Sequence, residues 1–290
     1  MPTFFLQKGR HLSNQGHAIN ISVIIPSYNR RELLRRALLS VYAQTLLPME
    51  VMVIDDGSTD GTEQMLRREF PQVAYCYQEN LGVSAARNRG IAHTNGDWLA
   101  FLDSDDEWLP EKLAMQQAAL QAHPDYKVCH TEENWIRQGV QVRVPKKYAK
   151  SGGWIFNQCL PLCAVSPSTL LIRRSVFADV GLFDTRLPAC EDYDLWLRIA
   201  AHYPVLLVEQ PQINKHGGHE DQLSMAFWGM DKFRISALQK IIDGGQLSGQ
   251  NRRAAVAMLL KKAAIYLNGA NKRGKTDEAD YYRRLIGRYG

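Results

Sequence analysis

The sequence predicts a doubly wound α/β fold: a mostly parallel central sheet with helices on both faces, followed by a helical C-terminal segment. Three observations carry this expectation. From residue 21 onward, short apolar runs alternate with amphipathic stretches of helical period. Acidic clusters stand at the ends of apolar runs, where open α/β sheets bind ligands. After residue 224 the strand signals stop, and a basic, Leu/Ala-rich stretch runs to residue 290. Several carboxylates gathered in one crevice repel one another, so the pattern calls for a cation or a donor-rich ligand.

The elements follow in order. Ile21 to Ile25 is a strand, stopped by Pro26. Asn29 and Glu32 have capping-box spacing, opening a helix with Leu34, Ala37, Leu38 and Val41 on one face. Val51 to Ile54 is the second strand. Asp60 and Glu63 repeat the capping-box spacing for a helix that ends before Pro71. Val73 to Tyr77 is a third strand, Ser84 to His93 a helix, and Asp97 to Leu102 a fourth strand. Pro110 stands at the first turn of a helix over Glu111 to Ala122. Thr131 to Ser166, with Trp135, Gly152, Gly153, Trp154 and scattered Lys, reads as an irregular excursion or a β-ribbon. Thr169 to Ile172 and Val205 to Val208 are short strands around a helix, Asp192 to His202, with Trp196 and Ile199 on one side. The chain divides into an extension (1–20), an α/β domain (21–224) and a basic helical segment (225–290).

Composition bounds the function. At 290 residues and 45% hydrophobic, the chain suits one large domain with an appendage. No run reaches the ~18 apolar residues of a membrane span, and residues 1–20 lack the apolar stretch of a secretory signal. The five cysteines are an odd count at irregular spacing. Cys159 and Cys163 have no second Cys/His pair at ligand spacing, so they read as buried or spare thiols of a reducing compartment, and a cytoplasmic location is expected. Residues 225–290 hold 13 Lys and Arg against 5 Asp and Glu, a net of +8, which leaves −3 for the rest. This tail reads as amphipathic helices with solvated basic faces; the rival reading is contact with an anionic acceptor or, peripherally, with anionic lipid at the inner membrane face. No nucleic-acid partner is expected.

Five motifs occur in a fixed order: Pro26-Ser27-Tyr28-Asn29-Arg30, Val53-Ile54-Asp55-Asp56-Gly57-Ser58-Thr59-Asp60, Asn80-Leu81-Gly82-Val83-Ser84-Ala85-Ala86-Arg87-Asn88, Phe101-Leu102-Asp103-Ser104-Asp105-Asp106 and Glu191-Asp192-Tyr193-Asp194-Leu195-Trp196. Together they resemble the signatures of family 2 glycosyltransferases with the GT-A fold, in which a Rossmann-like half binds the nucleotide. The likeness covers roughly residues 21–224.

The resemblance implies a site. Pro26, Tyr28 and Asn29 would line the base and ribose of a nucleotide-sugar. Asp55 or Asp56 would accept from a uracil N–H or a ribose hydroxyl, although this pair also reads as turn and N-cap chemistry. Arg87 would flank the nucleotide; an isolated Arg otherwise reads as solvated helix surface. Alternation along an extended chain puts Asp103 and Asp105 on one side. Asp105 is expected to ligate Mg²⁺ or Mn²⁺ directly, with Asp103 and Ser104 toward the ribose or a metal-bound water. Asp106 is assigned to the turn before Trp108. Glu191 and Asp192 resemble the catalytic acidic pair, with Asp192 the base that takes the acceptor's proton and Glu191 orienting it; as carboxylates opening a helix they would also satisfy its dipole. His219, five residues before Ser224, is the third metal ligand by resemblance, with His216 its rival.

The expected function is metal-dependent, inverting transfer of a hexosyl or N-acetylhexosaminyl group from a nucleotide-sugar, preferentially a UDP-sugar, to a glycan, lipid-linked or small-molecule acceptor. Trp135, Trp154 and Trp228 are candidates to stack on a sugar ring or to lie in the core. Two other classes compete. A nucleotidyltransferase would carry a Gly-rich, basic loop after its first strand, where Pro26-Ser27-Tyr28-Asn29 stands instead. A non-catalytic nucleotide-sugar binder would keep the Asp55 and Asp103 clusters but need no acidic pair.

Overall fold

The computed structural model describes residues 19–218, 227 and 229–290. A nine-stranded sheet runs through it: β1 (Ile21–Ser27), β2 (Glu50–Asp55), β3 (Ala74–Tyr77), β4 (Trp98–Phe101), β5 (Glu107–Trp108), β6 (Val128–Arg137), β7 (Val140–Val142), β8 (Leu171–Arg173) and β9 (Leu206–Gly217). Their order is β3-β2-β1-β4-β8-β6-β9-β5, with β7 on β6. The strands β3, β2, β1 and β4 are parallel, joined by crossover helices α1 (Arg31–Tyr42), α2 (Thr62–Glu69) and α3 (Val83–His93). The parallel half ends at β4. There β8 joins antiparallel, and the rest of the sheet is mixed, with β6–β9 parallel and β6–β8, β6–β7 and β5–β9 antiparallel.

Both faces are covered, which is why β1 is buried along its whole length. Successive residues serve opposite faces. Ile21, Val23 and Ile25 pack with Leu34, Ala37, Leu38 and Val41 of α1, Met65 and Leu66 of α2, and Leu113 and Leu120 of α4 (Lys112–Ala122). Ile24, Leu99 and Phe101 face the other way, onto Ile91 of α3, the short helices α5 (Phe156–Cys159) and α6 (Val176–Val180), and α7 (Glu191–His202). A Cβ at Gly90 would overlap the Ile24 side chain, so glycine is what lets α3 lie so close to β1.

The C-terminal segment forms α8 (Asp231–Asp243), α9 (Gly249–Lys272) and α10 (Thr276–Tyr289). Leu238, Leu259 and Tyr282 lie in the same apolar cluster as Tyr193 and Trp196 of α7. Part of the tail's basic charge is spent inside the fold. Lys240 donates to Asp184 (2.8 Å) and Asp194 (3.0 Å), and Lys262 donates to Asp231 (3.0 Å) and the Pro161 carbonyl (2.9 Å). Other basic residues, such as Arg252, Arg253 and Lys261, are exposed. Among the described residues no helix is long and apolar enough to cross a membrane.

Several local expectations are corrected. β1 does not stop at Pro26 but runs to Ser27, because β4 pairs only as far as Ile24 and a missing N–H is tolerated where one neighbour has ended. Asn29 does not cap α1. It sits at φ 49, donates its N–H to Ser58 Oγ (2.8 Å) and accepts from the Thr59 N–H (2.8 Å), bracing the loop after β1 against the loop after β2. Glu32 pairs with Arg31 instead of closing a capping box. Asp60 stands one residue before the N-cap, Gly61, and accepts from the Thr62 N–H (3.1 Å), while Glu63 turns outward to Arg67, so no capping box forms. The strand expected over Val205 to Val208 continues to Gly217, and Thr131 to Ser166 opens as a β-ribbon, β6 and β7, turning at Gln138-Gly139.

Candidate active site

The acidic motifs converge at the carboxyl ends of β1, β2 and β4. Asp55 and Asp56 end β2 and are both buried. Asp55 accepts from the Ser58 N–H (2.8 Å) and the Tyr75 hydroxyl (2.9 Å). Asp56 accepts from Gln78 Nε2 (2.6 Å) and from the N–H groups of Leu81 (2.9 Å) and Gly82 (2.9 Å). The turn-forming reading of this pair is therefore realised in Asp55, while Asp56 fixes the entry to α3. Gly57 at φ 96 turns the chain between them and the next helix, in the left-handed region that favours glycine, and a Cβ there would stand 3.0 Å from the Asn80 N. Pro26 is buried in β1, whereas the Tyr28 ring is 47% exposed at its end.

Asp103, Ser104, Asp105 and Asp106 form a turn closed by the Asp106 N–H on the Asp103 carbonyl (2.9 Å). The expected extended alternation is absent, and the carboxylates are instead held by separate elements. Asp103 accepts from Arg87 Nη2 (2.7 Å). Asp105 accepts from Arg30 Nη1 (3.0 Å), and its carbonyl accepts from Arg36. The Asp106 N–H closes the turn before Trp108, but its side chain does not cap it. Its buried carboxylate accepts from Ser168 Oγ (2.6 Å) and from the His216 N–H (3.0 Å). Burial, with Asp105 and Asp103 nearby, holds its pKa well above the usual carboxylate range. Ser168 also accepts from the Asp103 N–H (3.1 Å), so one hydroxyl sets both ends of the turn.

Arg87 is not surface. It is 3% exposed on the inner face of α3, in line with Ser84 and Ile91. Its guanidinium donates to Asp103 and, from Nη1, to Glu191 Oε1 (2.7 Å). Burial opposes its charge, but the two carboxylates outweigh that and raise its pKa.

Glu191 and Asp192 open α7, with both carboxylates in its first turn. Cys190, just before them, is in the left-handed region at φ 60, a conformation that L side chains rarely adopt outside functional turns. Burial and then the Asp192 charge push Glu191 up to about 7, against the opposing pull of Arg87. Asp192 is half-buried, and its Oδ2 accepts from the Cys163 thiol (2.9 Å). Cys163 is thus not a spare thiol; burial, then Asp192, holds its pKa well above normal. Asp194, also in the motif, is structural, bound by Arg198 and Lys240.

The His216 ring meets Glu107 at 2.6 Å. His219 and Trp228 lie outside the described residues. Lys215 points toward the acidic turn and donates to Ser166 Oγ (2.7 Å); burial opposes its charge, but Glu133, Asp106, Cys163 and Asp103 raise its pKa. Ser168, Cys163, Lys215 and Arg30 are the participants that sequence reasoning did not assign. Only Arg30, inside the first motif, carried a signal that pointed to it.

Among the described residues no three His, Cys, Asp or Glu side chains converge as a ready metal cage. The Asp103–Asp105 turn does offer two carboxylates at the crevice. That donor set fits Mg²⁺, which is typically held by one or two carboxylates with phosphate oxygens and water completing the shell.

A crevice of this kind on a Rossmann-like half-sheet defines the chain's class, and comparison agrees. Residues 22–181 match the profile of Glycosyl transferase family 2, and the chain belongs to that family. It is 33% identical over 191 residues to an uncharacterised glycosyltransferase of Rickettsia typhi, covering 63% of this chain and 60% of the relative. It is 29% identical over 202 residues to WcaA of Escherichia coli K12, a glycosyl transferase named for colanic acid biosynthesis, covering 63% of this chain and 67% of the relative. The chain thus spans about 60% of the length of the first curated relatives it matches. In fold it is similar to S. aureus TarS 1–349 in complex with UDP-GlcNAc, with a TM-score of 0.73 at 19% identity over 93% of this chain and 80% of that one.

Proposed function

We propose that this protein moves a sugar from a UDP-sugar to an acceptor hydroxyl with inversion at the anomeric carbon, in a metal-dependent reaction of glycan or surface polysaccharide synthesis. One observation carries the reading: the buried Arg87 joins Asp103, on the turn assigned to the diphosphate, to Glu191, beside the assigned base. Donor-side and acceptor-side acids thus share one bridge. The UDP-GlcNAc bound by the similarly folded TarS supports a UDP-sugar, and the name of WcaA supports a polysaccharide product.

In this reading the base and ribose lie against Tyr28, Asn29 and the Asp55–Asp56 turn. Asp105, with Asp103 and with His219 from outside the described residues, would hold Mg²⁺ or Mn²⁺, which when bound neutralises the leaving diphosphate. Asp192 takes the proton of the acceptor hydroxyl as its oxygen attacks the anomeric carbon. Glu191, fixed by Arg87, orients the acceptor. The half-buried position of Asp192 and the buried, paired state of Glu191 favour that division of labour.

Calorimetry with UDP and GDP, each with Mn²⁺ and with EDTA, tests the donor side. Mn²⁺-dependent UDP binding is expected, and equal affinity in EDTA would remove the metal from the reading. Asp192→Asn should abolish UDP release from a UDP-sugar while leaving UDP affinity intact; normal turnover would remove Asp192 from the mechanism.

A further inference from the structure

We propose that the segment from Arg137 to Trp154 is the docking surface for a negatively charged glycan chain, delivered along it to Asp192. This rests on the glycosyltransferase reading above and names the class of its acceptor. The first observation is charge. From Asn134 to Ala178 the sequence has no Asp or Glu, and between Arg137 and Lys150 it carries Arg137, Arg143, Lys146, Lys147 and Lys150. Residues 1–224, by contrast, are net negative.

The second observation is that the segment is pinned. Lys150 pairs with the buried Glu133 at 3.2 Å, His130 Nε2 donates to the Ser151 carbonyl (2.9 Å), and Gly153 forms a backbone bridge to Val205. These ties hold the backbone while Arg143, Lys146 and Lys147 stay exposed and the Trp154 ring stays 66% exposed. A solvated charge run has no need of such anchors. Here the ordering cost of binding is largely met before a ligand arrives.

The third observation is a path to the reaction centre. Trp135 and Tyr148 lie with ring centroids 5.0 Å apart, Arg137 stands over Trp135 at 5.1 Å, and Lys147 over Tyr148 at 5.1 Å. Trp135 Nε1 donates to Glu133 (2.7 Å), and Glu133 lies 4.0 Å from Lys215, the cation beside the acidic turn and Cys163. A line of contacts therefore runs from the outer cations and rings through the buried, cation-paired Glu133 to Lys215, toward the thiol that touches Asp192. Rings suit the apolar faces of sugars, and cations suit phosphate or carboxylate groups along the chain.

The test uses the full chain and three polymers of one backbone: neutral dextran, carboxymethyl dextran and dextran phosphate, at about 0.15 M salt. Binding to at least one charged dextran and not to the neutral one is expected, and the two charged arms tell carboxylate from phosphate. The triple variant Arg143→Gln, Lys146→Gln, Lys147→Gln should weaken that binding about tenfold, three partly exposed charge pairs being lost. Trp154→Ala should weaken it separately. The matched control Arg252→Gln, Arg253→Gln, Lys261→Gln removes the same charge from α9 and should leave it within about twofold. Equal loss in both triple variants, or equal binding of neutral dextran, overturns the proposal. Phosphatidylglycerol vesicles form a fourth arm, and a loss in the triple variant confined to them also overturns it, making the surface a membrane contact. UDP binding is measured alongside: its absence in the wild type both with Mn²⁺ and with EDTA strikes the UDP-sugar reading, while the dextran series judges the surface by itself.

Discussion

Replacing Arg87 by methionine removes a buried cation while keeping much of its stem. Two carboxylates lose their partner, and they differ in exposure: Asp103 is 29% exposed, Glu191 only 6%. Solvent screens the first, so its loss costs at most about 1 kcal/mol. The second is a broken buried pair, which costs about 3–5 kcal/mol when the remaining carboxylate is charged. Glu191 can escape by taking a proton. Its folded-state pKa lies above its unfolded one, at about 7, so protonation favours the fold at low pH and that contribution is lost as pH rises through the folded value. Without Arg87 the folded pKa climbs further. The deficit of Arg87→Met should therefore be at most about 1 kcal/mol at pH 5, where both proteins hold Glu191 protonated, and exceed that by about 1.4 kcal/mol at pH 8, about one unit above the wild-type folded value. Urea unfolding at the two pH values measures it, with a midpoint shift larger by roughly 0.5 M at pH 8 than at pH 5 for a slope of about 3 kcal/mol/M. A deficit equal at both pH values, or absent at pH 8, would refute the bridge.

Further outcomes follow from the same geometry. Ser168→Ala leaves the buried Asp106 without its hydroxyl donor, and should cost about 1–3 kcal/mol and loosen the Asp103–Asp105 turn, seen as weaker Mn²⁺-dependent UDP binding. Cys163→Ala removes the donor to Asp192; turnover should fall about three- to tenfold with UDP affinity unchanged, and Cys163→Ser should restore it. Gly90→Ala forces α3 away from β1, and should cost about 1–3 kcal/mol in thermal or urea unfolding.

The parallel half was legible in the sequence because its signals are local. Each strand is a short apolar run, the crossover helices α1 and α2 each have one apolar face, and Pro71 and Pro110 mark boundaries at or near their places. The mixed half was not, because β6 and β9 pair across some 80 residues and change register between Thr131 and Asn134, so neither shows a clean alternation. β5 is two residues long and exists only through its pairing with β9. At the site, motif order brought Asp103 and Glu191 into one hypothesis, but not their joint partner. Arg87 looks like an ordinary helical arginine until α3 is docked, and the small residues around it, Ser84 and Gly90, were the available sign that this face is buried. Ser168 and Cys163 lie in irregular chain, where type and spacing say nothing about which carboxylate a hydroxyl or thiol will meet.

Among the described residues β7 pairs with β6 and with no other strand. In network terms it is a leaf: the sheet stays connected when it is removed or lengthened. The turn at Gln138-Gly139 and the exposed stretch through Lys147 can therefore gain or lose residues without disturbing the strand ends that carry Asp55, Asp103 and Glu107. Variation in this protein has a cheap place to accumulate on one side of the crevice and an expensive one on the other. On the docking surface proposed above, grafting other sequences between residues 138 and 147 should change which charged polymer binds while leaving UDP affinity as it is.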